Sequence, residues 1–212
     1  DIEIYSIDEM FLSLKGFNND LKAYATEIKD KVWQYTRMPV GVGIAPTKTL
    51  AKLANHAAKK IPQCNGVCVL DTPAKWEWLL RRLTTNKVWG VGKKLSKKLA
   101  VNGIHSAWDL SMANKKLIRQ IGGVCLTRTA SELNGTECLG LEVVQDKKQI
   151  YSTRSFGKKV TSLSQLHEAI ALYATKACEK LRKQKHRVKT LHVFIQTSPF
   201  TPNYYAKSIV VQ

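Results

Sequence analysis

The sequence predicts a multidomain α+β fold, and three observations carry that reading. Its 212 residues include 44% hydrophobic side chains, enough for one or two packed cores and too many for a disordered chain. β-prone and helix-periodic runs alternate at first, give way to helical runs alone, and return after a short acidic stretch. Charge changes at the same borders. Residues 1–73 hold 9 basic and 8 acidic side chains (net +1), residues 74–135 hold 12 and 3 (net +9), residues 136–144 hold two acids alone (net −2), and residues 145–212 hold 13 and 3 (net +10), which gives +18 overall.

Residues 2–6 and 10–14 are short β-prone runs, and Lys15-Gly16-Phe17-Asn18-Asn19 is a loop signal, so a hairpin is expected with Asp8 and Glu9 at or beside its turn. The stretch IYSIDEMFL (Ile4 to Leu12) is otherwise apolar. Neighbours on a strand face opposite sides, so a paired central strand would bury one of the two acids at a cost of several kcal/mol without a partner or a metal. Leu21, Tyr24, Ala25, Ile28, Val32 and Tyr35 recur at helical spacing and stop before Met38-Pro39. Val40 to Ile44 reads as a buried strand. Ala45-Pro46-Thr47 then turns into a helix through Thr49, Leu50, Leu53, Ala54 and Ala57, and Gly66 to Leu70 is a further strand. The order β-β-α-β-α-β predicts a mainly antiparallel sheet with helices on one face and the other face open to a ligand.

From Asp71-Thr72-Pro73 the composition turns all-helical, with helices expected at 74–83, 93–101, 106–112 and 114–121. The acidic stretch from Gly135 to Gln145 is the best linker candidate. Residues 150–160, 163–184, 188–197 and 205–211 then read as β-α-β-β, an incomplete unit with an open edge. There is no internal repeat.

Several classes are excluded. No run of eighteen apolar residues spans a membrane, and Asp1 opens the chain without a basic or apolar leader, which predicts a cytoplasmic piece of something longer. Cys64, Cys68, Cys125, Cys138 and Cys178 lack a second pair at zinc-ligand spacing and read as reduced, buried thiols. The five histidines lack the setting of a Ser/His/Asp or Cys/His site. Two strongly basic regions in one compact protein repel each other unless both face a polyanion, which makes nucleic acid the first candidate. The alternative is a set of solvated lysine faces. A membrane surface would want an amphipathic apolar face that these runs lack.

Val88-Trp89-Gly90-Val91-Gly92-Lys93-Lys94 has the hydrophobe-x-Gly-hydrophobe-Gly pattern of a helix-hairpin-helix. There, glycines let the backbone approach a phosphate, and the next helix opens with unpaired N–H donors. Lys93, Lys94, Lys97 and Lys98 add positive charge; the plainer alternative is a helix–helix corner needing glycine for its turn. Pro46-Thr47-Lys48-Thr49 lies where a strand hands over to a helix, a ready anion site, though a lysine near a helix start is usually just solvated.

Four ordered stretches, Ser6-Ile7-Asp8-Glu9, Val42 to Asn55, Val88 to Gly92 and Ser152-Thr153-Arg154-Ser155-Phe156-Gly157, closely resemble motifs of the Y-family translesion DNA polymerases, of the UmuC type. The likeness runs along essentially the whole chain. It implies that residues 1–73 are the later part of the palm, 74–140 an all-α thumb with the helix-hairpin-helix, 141–145 a linker, and 146–212 a truncated β-α-β-β little finger. The function implied is error-prone translesion synthesis in the SOS response to DNA damage, and the charge map would put the positive regions on the duplex.

By the same resemblance Asp8 and Glu9 are catalytic, metal-binding carboxylates for two Mg²⁺ ions about 4 Å apart. Lys48 contacts the dNTP triphosphate. Gly90, Gly92, Lys93, Lys94, Lys97, Lys98, Arg154 and Ser155 contact DNA, and Lys52 and Asn55, one and two turns beyond Lys48, are expected either to support the site from behind or only to pack the helix. The implied partners are damaged primer-template DNA, a processed UmuD-type dimer, RecA and the sliding clamp. Family members begin with a further strand bearing a metal-binding Asp, followed by the fingers, and end with another helix and strand. None of this is in the sequence, so the chain alone is expected to be inactive. The competing expectation is a non-catalytic, sequence-independent DNA-binding fragment.

Overall fold

A computed structural model describes residues 1–17, 19–141 and 149–212. The chain divides into two compact units, within residues 1–143 and 144–212. The linker expected at 141–145 lies, Leu141 apart, outside the described residues, as do 146–148 at the expected start of the last domain.

In the first unit, β1 (Ile2–Ile4) and β2 (Met10–Leu12) form the expected antiparallel hairpin, pairing Glu3 with Phe11. Its loop closes where the Tyr5 and Ser6 amides donate to the Glu9 carbonyl at 3.1 and 3.0 Å. The strands alternate, but with an acid rather than an aliphatic residue on the inner face. Ile2, Ile4 and Met10 are exposed, and Glu3 is the residue turned inward. Helix α1 (Leu21–Thr36) is N-capped by Asp20, whose carboxylate accepts from the amides of Lys22 and Ala23.

Strand β3 (Val42–Ile44), helix α2 (Lys48–Lys60) and strand β4 (Val67–Val69) follow. The single, mainly antiparallel sheet is corrected here. β3 pairs with β4 in parallel, and among the described residues no ladder joins that pair to the hairpin. The reason is the crossover: a helix packed on a strand carries the chain back, so the next strand starts from the same end as the first. β3 lies so close on α2 that a Cβ at Gly43 would fall 2.2 Å from the Asn55 amide nitrogen, a position only glycine fits.

Helices α3 (Pro73–Leu80), α4 (Lys93–Val101), α5 (Ala107–Met112) and α6 (Lys115–Leu133) complete the unit. The last helix does not stop near 121. Gly123 (φ 71°) leaves helical geometry, and the chain resumes its helix to Leu133, so the Gly122-Gly123 pair marks a kink where the sequence suggested an end. Leu50 and Leu53 of α2 share one apolar cluster with Leu79, Leu80, Leu99, Leu110, Ile118 and Leu133. Each such side chain, fully buried, contributes roughly 1.5–3 kcal/mol, so α2 and the four helices after it stand or fall together.

One polar residue completes that seam. The side chain of Glu132, fully buried, accepts from the Thr49 amide (2.9 Å), the Thr49 hydroxyl (2.6 Å) and the amides of Cys138 (3.1 Å) and Leu139 (2.9 Å), while its carbonyl takes the Thr47 hydroxyl (2.9 Å). A carboxylate is acceptor-only, which is what donors on both oxygens require. Glu132→Leu strands all of them in a dry interior and is expected to cost about 3 kcal/mol or more. Glu132→Gln, with one oxygen replaced by a donor, should cost less but remain destabilising. The check is the urea midpoint of each variant at unchanged slope.

In the second unit α7 (Leu163–Lys183) is N-capped by Ser162, and β5 (Leu191–Gln196) pairs antiparallel with β6 (Ala206–Val211). The strand expected over 150–160 is corrected: the described residues there form neither helix nor strand. A β-prone sequence becomes a strand only where a neighbour takes its backbone hydrogen bonds, and β5 and β6 bond only to each other among the described residues. Among those residues no helix is long and apolar enough to cross a membrane.

Candidate functional site

The hairpin loop packs against α2, and the charges meet there. Asp8 is exposed at the loop tip, and the Ser6 hydroxyl donates to its Oδ1 at 2.6 Å. That hydrogen bond, aided by the charges of Lys59 and Lys52, holds the Asp8 carboxyl below the usual aspartate range. Asp8 therefore stays ionised further into acid than an ordinary aspartate. Ser6→Ala is expected to move its titration up toward the ordinary value, read from the Asp8 carboxyl ¹³C shift against pH.

Glu9 is half-buried, and the Lys52 ammonium donates to both its oxygens, at 2.8 and 2.7 Å. Lys48, one helical turn earlier on α2, reaches the inward-facing Glu3 in a buried ion pair. The two lysines share a helix face because they are four residues apart. Aromatic rings close the cluster: Lys48 Nζ lies 5.1 Å from the centre of Phe11, and Lys52 Nζ lies 5.2 Å from that of Tyr5. Tyr5, Phe11 and Trp89 stack edge-on or tilted with centroids 5.3–5.9 Å apart, and Trp89 Nε1 donates to the Tyr5 hydroxyl at 3.0 Å.

Trp89 brings in the second predicted group. Gly90 has φ +82°, which its turn requires, and Gly92 caps α4; a Cβ at either meets nothing within 4 Å, so both backbones face open space. Val88 and Val91 anchor the turn in the core while Lys93, Lys94, Lys97 and Lys98 are exposed on α4. Arg154 and Ser155 are exposed in the second unit, in the irregular stretch before α7.

The structure thus gathers Asp8, Glu9, Lys48 and Lys52 at one place and ties the Gly90 turn to it through Trp89. Sequence reasoning missed Glu3, Tyr5, Phe11 and Trp89 as members of this cluster. The legible signal was the period-two alternation that places Glu3 and Phe11 on one hairpin face; nothing in the sequence linked either to residue 89.

For a metal ion the donor set is two adjacent carboxylates, hard oxygen ligands that suit magnesium, which keeps several waters and takes only one or two protein carboxylates. Among the described residues no three His, Cys, Asp or Glu side chains gather to form a closed cage. Burial, with Cys64 beside it, pushes the Cys68 thiol up to about 12, so that thiol is a poor metal ligand.

Residues 1–56 match the impB/mucB/samB family, and residues 147–212 match the impB/mucB/samB family C-terminal domain. Protein MucB of Escherichia coli is 43% identical over 203 residues, 94% of this chain and 48% of that protein. Protein UmuC of Salmonella typhimurium (strain LT2) is 45% identical over 216 residues, 99% of this chain and 51% of that protein. The chain spans about half the length of the curated relatives it matches. Among solved structures, the insertion ternary complex of Dbh DNA polymerase superposes with TM-score 0.55 at 23% identity, over 98% of this chain and 59% of the other. A Y-family DNA polymerase chimera, Dbh-Dpo4(243-245)-Dbh, gives 0.60 at 23% identity and the same coverage. At that identity these two show a shared mixed α/β fold.

Proposed function

The chain belongs to the impB/mucB/samB family of Y-family DNA polymerases, and from that premise we propose that it is the part of an error-prone polymerase carrying half of the nucleotidyl-transfer site and most of the DNA grip. The observation that carries this reading is the Asp8-Glu9 hairpin loop packed on the helix that supplies Lys48 and Lys52, with the glycine turn of α4 joined to it through Trp89. Residues 1–73 act as the later part of the palm, 74–140 as the thumb and 146–212 as part of the little finger.

Asp8 and Glu9 would hold magnesium. Bound there, the ion would supply Lewis-acid activation for the primer 3′-hydroxyl and compensating charge for the departing pyrophosphate. The chain's own groups do the rest. Lys48 has three N–H donors, so it can keep Glu3 and still donate to a triphosphate oxygen, and Glu3 fixes where that ammonium sits. The Gly90-Gly92 backbone and the α4 lysines hold the duplex by its phosphates, which fixes register without reading sequence. Arg154 and Ser155 serve the same end on the second unit. Membership of the family is what supports a processed UmuD-type dimer, RecA and the sliding clamp as further partners.

Primer extension by the full-length protein, on undamaged template and past an abasic site, tests the reading. Extension past the lesion is the expected result. Tight duplex binding with no extension on either template would replace the enzyme with a non-catalytic DNA-binding module.

A further inference from the structure

Resting on the reading of Asp8 and Glu9 as metal-holding carboxylates, we propose that Lys52 is a positioning residue whose ammonium is the built-in counter-cation of Glu9 and competes with the divalent ion for its oxygens. The three acids of the hairpin are served differently. Glu3 faces inward onto Lys48, Asp8 takes the Ser6 hydroxyl and makes no ion pair among the described residues, and Glu9 gives both oxygens to Lys52.

This lysine is not a solvated side chain that has drifted onto an acid. Its side chain is 23% exposed and that of Glu9 31%, it springs from a rigid helix, and its ammonium lies against the Tyr5 ring. Tyr5 is itself fixed by the Trp89 indole. Held from helix, ring and carboxylate at once, Lys52 sets the direction in which Glu9 points, and the pair is screened less than a surface pair would be. A divalent ion approaching the loop meets Asp8 open and Glu9 engaged. To bind Glu9 it must share or take oxygens from an ammonium of the same sign, and that repulsion lowers its affinity. The lysine therefore trades metal affinity for a pre-aimed carboxylate.

The experiment titrates the full-length protein with Mn²⁺ and reads free ion by electron paramagnetic resonance. Lys52→Met and Lys52→Gln should each tighten Mn²⁺ binding by about fivefold, as removal of one nearby partly screened charge does, while Lys52→Arg stays within about twofold of wild type because the charge is kept. Asp8→Asn should weaken Mn²⁺ binding at least about tenfold. Independently of any variant fold, the ¹⁵N resonance of Lys52 Nζ in the wild-type protein should shift as Mg²⁺ is added. If Asp8→Asn weakens the ion but the neutral Lys52 variants do not tighten it, or Lys52→Arg tightens it equally, or the Nζ resonance stays still, the counter-cation role is wrong and the metal site stands. Mn²⁺ affinity unchanged in Asp8→Asn would remove the metal site itself, and the proposal with it.

Discussion

Asp8→Asn in the full-length protein is expected to lower primer extension by about a thousandfold or more, with duplex affinity within about twofold of wild type. The substitution keeps the size of the side chain and an oxygen for the Ser6 hydroxyl at the loop tip. What it removes is the charge. A hard divalent ion binds a neutral amide far less well than a carboxylate, so a transition state that gathers negative charge on phosphoryl oxygens loses its main compensation. Duplex affinity is spared because residues 1–73 are nearly neutral and the positive excess lies further along the chain. Asp8 is a cleaner probe than Glu9, because Glu9→Gln also frees Lys52 and disturbs its packing on Tyr5. Extension within tenfold of wild type, in a variant that binds DNA normally, would show that the pair only closes a turn.

Much of this site was legible because its parts are local. The Asp8-Glu9 pair sits between two β-prone runs and Lys48 follows a strand-to-helix turn, so pattern put the pair at a hairpin turn and Lys48 at a helix start, and the resemblance to the Y-family polymerases joined them into one expected site. What pattern could not place are contacts between segments distant in the chain. Lys52 meets Glu9 across 43 positions, Tyr5 meets Trp89 across 84, and Thr49 meets Glu132 across 83. Glu132 illustrates the cost of this: a lone acid in a basic helical region reads as surface, yet it is fully buried and satisfied by donors from another element. The errors of fold have the same source. Parallel pairing of β3 with β4 follows from a crossover that periodicity does not reveal, and the run at 150–160 has strand propensity without a strand partner among the described residues. Gly122-Gly123 read as a helix end because glycine usually ends helices; the apolar spacing of Leu126, Ala130 and Leu133 carries α6 onward against the core.

If the basic regions face DNA, this chain should bind primer-template duplex without sequence preference and lose roughly three to five decades of affinity between 50 and 200 mM salt, the fall expected of six to ten phosphate contacts. Each neutralised phosphate releases condensed counterions, giving a slope of about 0.9 per contact in log affinity against log salt. The slope therefore counts contacts, and substitutions can locate them. Lys93 and Lys97 are exposed on α4, behind a glycine turn whose backbone faces open space. Lys93→Glu with Lys97→Glu removes two cations and adds two anions where the first phosphates are expected, so the slope should flatten by about two contacts. The same reversal at Lys22 and Lys60, exposed lysines of the near-neutral first region, should leave it almost unchanged. Filter binding or fluorescence anisotropy at four or five salt concentrations measures all three slopes. Equal flattening by the two pairs, or a shallow slope in the unsubstituted chain, would mean that the lysines of α4 are a solvated face and that the glycine turn is a helix–helix corner and nothing more.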